Sequence, residues 1–310
     1  MPDNSSNKFR FIPLDTKISR KLQAGIPASA VVMDLMTDLS IQTGRNTVVY
    51  YSSFPKKSYG DASSVTEWDI SGFMRVLTGL DRSMGLDLVI QTPGGDPLAA
   101  EGIVEYLQAE FKGDVRLIVP YCAYSAGTLI ACATKSIIMG NHSCLGPVDP
   151  QLGGALPCLN IIKEFDDARE DIMNNPASLE YWKIRLGDYQ PGLYLFCKDA
   201  VNLGNHLLNN WLHKYMFAGE EGPAVDEKIA RIYKQLNSNN HSHGRHFTYS
   251  YCRELGLKVE QLEADPEMHI TVMKLHHALE ELMAQENMAK LLLNQYGTPA
   301  ALSFDQGSEE

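Results

Sequence analysis

Residues 86–97 read LDLVIQTPGGDP, and the fold turns on how that stretch is parsed. Six residues of mostly apolar, extended character are stopped by Pro93 and the pair Gly94-Gly95. Asp96 can then cap a helix with Pro97 in its first position, so LAAEGIVEYLQAEF follows as a helix burying Ile103, Val104 and Leu107. The same pattern returns in VRLIVP, which runs through YCAYSAG into the helix of SAGTLIACAT and then the strand SIIM. Upstream, residues 27–40 have helical spacing opened by a proline. GRN then releases the chain into TVVYYS, and residues 67–80 place Ile70, Phe73, Met74 and Leu77 on one helical face. Strands alternating with helices at this spacing predict an α/β fold, a largely parallel sheet covered on both faces.

Beyond residue 150 the pattern changes. GGALPCLN reads as loop, and residues 160–236 are mostly helical, with turns at NNP and YQPG. NSNNHSHGRH is polar and turn-rich. FTYSYCRELGLKVEQLEAD reads as a helix ended by glycine and then a short strand. A long helix is predicted over residues 270–292, with a disordered tail behind it. With no internal repeat or linker, the expectation is an N-terminal extension and helix (1–44), one main domain (45–275), and a C-terminal helix and flexible tail (276–310).

The 310 residues carry a net charge of -11, with 44% hydrophobic and 21% charged composition. This is ordinary for a globular protein, and the negative balance with no basic stripe argues against nucleic acid or anionic lipid as partners. The opening MPDNSSNKFRFIPLD lacks the basic start and apolar core of a secretory leader, and no apolar run approaches the roughly 20 residues that span a bilayer. The expected location is cytoplasmic, without a membrane partner. Cys122, Cys132, Cys144, Cys158, Cys197 and Cys252 show no CxxC spacing and read as buried free thiols.

In open α/β sheets ligands collect at the carboxyl ends of the strands, which brings Thr92 to Gly95 near Tyr124 to Gly127. Paired glycines let a backbone approach closely with its N–H groups turned outward, and a helix start offers a spare N–H. Ser125 can then serve as nucleophile between the N–H of Gly94 or Gly95 and that of Ala126, an oxyanion hole. Small residues beside a serine also serve simply to let a helix pack closely.

TPGG, YSAGTLIA, MGNHSCLGPVDPQ and HGRHFTYSYCRELGLKVEQLE, in that order, resemble the signatures of the serine dehydrogenase proteinase family. That family belongs to the ClpP/crotonase superfamily and is similar to signal peptide peptidase A. The resemblance covers roughly residues 45–275 and is densest from 86 to 152. It implies a ClpP/crotonase-like parallel sheet flanked by helices, with a mostly helical C-terminal half. It also implies Ser125 as nucleophile, Gly94, Gly95 and Ala126 as oxyanion-hole backbone, a peptide or protein substrate, and a homo-oligomer. The ClpP-type histidine is missing, since its place is taken by GPVDPQ. Members resembling signal peptide peptidase A use a lysine farther along the chain, where Lys183 and, as runner-up, Lys163 fall. A lysine takes a proton only when burial or a nearby positive group has made it give up its own, and the aromatic surroundings of Lys183 in EYWKIRL suit that need.

Tyr124, His142 and Asp149 are further candidate neighbours of the site. His142 can equally satisfy carbonyls at the sheet end, and Asp149 can cap a turn. His241, His243 and His246 invite a metal reading, but no acidic or cysteine ligand stands beside them, so neither metal nor cofactor is expected. His276 and His277 read as packed or solvated helix positions. The predicted activity is that of a serine peptidase working through a Ser125 acyl-enzyme. An esterase or thioesterase, coenzyme A thioester chemistry, or a non-catalytic peptide-binding or assembly module on the same fold are the alternatives. Val272, Leu275, Leu279, Leu282 and Met283 lie on one side of the last helix and are a candidate surface for self-association or, equally, for docking on the chain's own domain.

Overall fold

The structure, a computed structural model, describes residues 27–153, 156–237 and 244–303. Helix α1 (Ala28–Thr43) ends on Gly44 in the left-handed conformation and feeds β1 (Asn46–Ser52). Next come α2 (Trp68–Leu77), β2 (Leu86–Gln91), α3 (Pro97–Phe111) and β3 (Val115–Val119). The Asp96 carboxylate accepts the Leu98 N–H at 2.9 Å, so the capping read from DP holds. A short β4 (Cys122–Ala123) enters α4 (Ala126–Cys132), followed by β5 (Ser136–Met139) and β6 (Cys144–Leu145).

With three later strands, β10 (Val259–Gln261), β11 (Met288–Asn294) and β12 (Pro299–Ser303), the seven-stranded sheet has the order β10-β5-β3-β2-β1-β11-β12, and the first five of these strands run parallel. β1 and β2 are buried at every position, which explains why their apolar residues come in consecutive runs, VVYY and LVI, instead of alternating. Alternate residues serve opposite layers. Val48, Tyr50, Leu88 and Ile90 face a core shared with α2, α3 and α4. Val49, Tyr51, Val89 and Ile118 face α1 and a helix near the end of the chain.

A helical arm follows the small hairpin of β7 (Gln151–Leu152) and β8 (Leu156–Pro157). It comprises α5 (Cys158–Asn174), α6 (Leu179–Leu186) and α7 (Leu193–Trp211), and a separate small core of Cys158, Ile161 and Cys197 holds α5 to α7. α8 (Pro223–Leu236), β9 (Phe247–Thr248), α9 (Tyr249–Leu255) and β10 (Val259–Gln261) bring the chain back to the sheet. Gly256, at φ 102°, ends α9 as the sequence predicts. All six cysteines are buried and unbridged.

The C-terminal expectations are corrected in two places. Helix α10 (Pro266–Gln285) stops short of residue 292, and β11 (Met288–Asn294) and β12 (Pro299–Ser303) follow as an antiparallel ribbon. Asn287 at φ 51° turns the chain out of the helix, a conformation asparagine tolerates well. The mostly apolar run AKLLL then pairs with β1 as a buried strand, which local periodicity does not distinguish from a helix. The second correction concerns the apolar side of α10. Val272, Leu275, Leu279, Leu282 and Met283 are buried in the protein's own core with α1, so this face is not free for self-association. The disordered tail expected beyond the last helix is replaced by sheet up to residue 303, and residues 304–310 lie outside the described residues.

Removing residues 287–310 should therefore do more than trim a tail, because it strips the edge of β1 and uncovers the core under Leu291, Leu292 and Leu293. The shortened protein is expected to lose its cooperative thermal transition. A circular-dichroism melt matching the full chain would show that the ribbon is dispensable.

Candidate active site

The end of β2 is held against β4 by two backbone bonds. The Thr92 N–H donates to the Cys122 carbonyl and the Tyr124 N–H to the Thr92 carbonyl, each at 3.1 Å. This places TPGG beside YSAG. Gly127 explains part of the closeness, since a Cβ there would stand 2.5 Å from the Thr92 methyl. Gly94 explains the rest. At φ 95°, its missing Cβ would lie 2.6 Å from the Tyr124 carbonyl oxygen, 2.7 Å from the Ser125 Cβ and 3.0 Å from the Ala126 nitrogen. The backbone of this turn therefore rests directly on the serine.

Ser125 caps α4 with φ 49° and ψ -112°. A side chain rarely adopts this conformation, and it differs from the ordinary left-handed helix-end geometry of Lys112, at φ 53° and ψ 40°. Such a sharp strand-to-helix turn is how hydrolases present a serine hydroxyl above a sheet. The residue is half-buried.

Two backbone donors flank it. The Ala126 N–H occupies the first position of α4, where no intrahelical acceptor exists. Val65 pairs with Gly95 in an isolated parallel bridge: the Val65 N–H donates to the Gly94 carbonyl at 2.7 Å, and the Asp96 N–H donates to the Val65 carbonyl at 3.0 Å. In that pattern the Gly95 N–H faces away from Val65, and Gly95 is exposed. The Gly94 N–H is already engaged by the Thr92 hydroxyl at 3.1 Å. Of the two glycines, Gly95 is thus the one with a donor to offer, and Gly94 supplies the close approach.

Tyr124 and His246 form the other wall. The Tyr124 hydroxyl lies 3.0 Å from His246 Nε2 and 3.2 Å from Cys144 Sγ, and the two rings stack with centroids 5.4 Å apart. Phe54 meets the Tyr124 ring edge-on at 6.1 Å. Burial, followed by the bond to Cys144, pushes the Tyr124 phenol far up, so it stays protonated. The Thr128 hydroxyl donates to the Ala123 carbonyl at 2.8 Å and accepts the Gly146 N–H at 3.0 Å, which ties the CLGP loop to the start of α4.

The other candidates are placed elsewhere or otherwise employed. His142 Nε2 meets the Pro120 carbonyl at 2.9 Å, which is the sheet-end reading. Asp149 is buried and accepts from the Gln151 amide at 2.5 Å. Lys163 and Lys183 sit on the helical arm with side chains 63% and 58% exposed, the first paired with Asp167 and the second with Glu180 at 2.7 Å. The buried setting expected for Lys183 is absent: Tyr181 and Ile184 beside it are themselves exposed, because α6 buries no residue. His241 and His243 lie outside the described residues, while His246 stands against Tyr124 instead of in a metal cluster.

Among the described residues, the group able to hold a metal is His276, His277 and Glu280, with donor atoms within 4.8 Å of one another. His276 is buried, bonded through Nδ1 to the Tyr51 hydroxyl, and pushed down to about 4 by desolvation, so it is neutral. A cavity of about 240 Å³ lies between the end of β1 and α10, lined by Tyr51, Lys56, Gln91, Glu280 and Met283 among others. Among the described residues no helix is long and apolar enough to cross a membrane.

Sequence reasoning missed Val65, whose role depends on a bridge formed across a loop. It weighed His246 only within a metal reading that it set aside, and did not connect it with Tyr124.

Gly94→Val is expected to keep the fold poorly or not at all at this turn, and any folded fraction should lose about a hundredfold or more in acyl-transfer turnover, roughly 3 kcal/mol of transition-state stabilisation. Parental kinetics in a folded variant would remove the turn from the chemistry.

Residues 66–179 match the model of the ClpP-like SDH-type serine proteinases. Two uncharacterized proteins of Methanocaldococcus jannaschii are also similar. MJ0137 is 33% identical over 213 residues, 68% of this chain and 65% of the relative. MJ1495 is 31% identical over 196 residues, 63% of this chain and 59% of the relative. The chain thus spans less than two thirds of the length of either relative. The family expected from the sequence is the one whose model the chain matches over residues 66–179, the ClpP-like SDH-type serine proteinases.

Proposed function

We propose that this protein is a serine peptidase that hydrolyses peptide bonds through an acyl-enzyme on Ser125. The observation that carries this reading is the conformation of Ser125, a non-glycine residue at φ 49° and ψ -112° with the Gly94 turn packed on it, the Ala126 N–H at the helix start and the Gly95 N–H turned away from Val65. The serine oxygen attacks the substrate carbonyl, and the oxyanion that forms accepts from these two donors. We assign the serine proton to His246. It stacks on Tyr124, the residue before the nucleophile, whereas the two lysines are engaged in ion pairs on the arm. A neutral imidazole takes the proton as the bond to Ser125 forms and returns it to the leaving amine, after which water releases the acyl group. An esterase or thioesterase would use the same parts, so acyl transfer is the firmer half of the proposal and peptide the narrower one.

A fluorophosphonate probe tests this directly. Labelling is expected on Ser125 and lost in Ser125→Ala. His246→Gln should slow it on the order of a hundredfold, while Lys183→Met and Lys163→Met label at the parental rate. Loss in K183M or K163M with H246Q unaffected would return the proton to that lysine. An unlabelled parent would favour a peptide-binding or assembly module on the same fold.

Self-association, with the α10 face already used, we place on the arm. Tyr181 and Ile184 on α6, with Leu195 and Phe196 on α7, are 58–80% exposed, an unusual concentration of apolar side chains on one appendage. Light scattering is expected to give a multiple of 34.5 kDa, reduced by Ile184→Glu with Phe196→Glu. A parental mass of a single chain would refute it.

A further inference from the structure

We infer that the buried pair Lys290–Asp69 is a positioning device for the oxyanion turn, acting through residues 64–66. This inference rests on the serine-hydrolase reading above.

The bridge between Val65 and Gly95 is isolated, so no neighbouring rungs of a ladder support it. Something else must fix the strip that carries Val65. The residue on either side of Val65 is held by one member of a single ion pair. Lys290 Nζ donates to the Ser64 carbonyl, and the Asp69 carboxylate accepts the Thr66 N–H at 2.8 Å. The two charges meet at 2.8 and 2.9 Å and are sealed from solvent, with side chains 1% and 0% exposed. The Tyr50 hydroxyl donates to the same carboxylate at 2.8 Å, and the rings of Tyr50 and Trp68 lie 6.0 and 5.7 Å from the ammonium. Lys290 comes from β11 and Asp69 from the first turn of α2, so the clamp joins two parts of the fold distant in sequence around one short strip of backbone.

Charges this deep cost desolvation that a pair of apolar residues would avoid, which makes stability a poor account of them. Direction is a better one. An ammonium has three hydrogens, and here they point at Asp69 and the Ser64 carbonyl, with the Thr66 hydroxyl at 3.4 Å. Lys290 is the buried lysine among the described residues, yet its protons are all engaged, so it serves as a tether and not as a proton acceptor. Val65 in turn brackets Gly95 through its own N–H and carbonyl, and this sets where the Gly95 N–H aims. An oxyanion donor displaced by about 1 Å can cost on the order of a hundredfold in rate.

The test uses Lys290→Met combined with Asp69→Asn, which removes both charges at similar volume. Lys290→Met alone would strand a buried carboxylate and unfold the protein. In the folded double variant, hydrogen exchange at the Val65 and Asp96 amides is expected to accelerate at least about tenfold while that in β2 and β3 is unchanged. The kcat for an ester or peptide is expected to fall on the order of tenfold to a hundredfold with KM nearly constant. Parental exchange at Val65 and Asp96 overturns the tether, and accelerated exchange with parental kcat overturns its link to catalysis. Should the double variant not fold, Thr66→Pro carries the same readouts, because it removes the N–H that Asp69 accepts and leaves the ion pair in place. A parent that fails to label at Ser125 refutes the serine-hydrolase reading and the link to catalysis with it, and the exchange experiment still decides the tether separately.

Discussion

The site depends on one close approach, the bare Cα of Gly94 against the turn at Ser125. A Cβ at Gly94 would overlap the serine's own Cβ, so a residue without one is the condition under which β2 and β4 can end side by side. From that contact the rest follows in order. The Thr92 backbone pairs across to residues 122 and 124, Ser125 is forced into its uncommon dihedrals, and the Ala126 and Gly95 N–H groups are left without a backbone acceptor among the described residues.

Strain of this kind persists only where its surroundings over-determine it. Here they do so from three sides. Thr128 ties the helix start to the Ala123 carbonyl and to Gly146, and Gly127 lets α4 sit against the Thr92 methyl. The Val65 bridge holds the glycine turn from the far side. At the opposite end of the strands, buried Asp87 is shared by Arg45 and Arg116 at 2.8 Å each, which fixes the start of β2 as firmly as the turn fixes its end.

The α/β alternation was legible because each parallel strand is a short apolar run closed by proline or glycine, and because Asp96-Pro97 and Gly256 mark helix ends chemically. Ser125 and the glycine pair stood out through the family resemblance, since small residues beside a serine also serve plain close packing, and the fold brings the two segments together. What local pattern could not carry was tertiary. Residues 288–294 are apolar enough for either a helix or a buried strand, and only the open edge of β1 decides between them. Lys183 sits among aromatic residues in sequence, but α6 lies on the surface of the arm, so the apolar neighbours face solvent along with it. The pairing of Lys290 with Asp69 spans 221 positions and has no signature at either end.

The placement of β11 between β1 and β12 also bears on how the protein comes into being. β1 is made early and stays an unpaired sheet edge until residues 288–294 have been synthesised, since its partner on that side comes from near the other end of the chain. A growing polypeptide therefore carries an open strand with the apolar run VVYY through most of its translation, the situation in which nascent chains recruit chaperones or stick to one another. Because the same late strand delivers Lys290, the strip at residues 64–66 has no clamp during that interval, and the glycine turn it braces takes its final shape only after residue 290 has emerged.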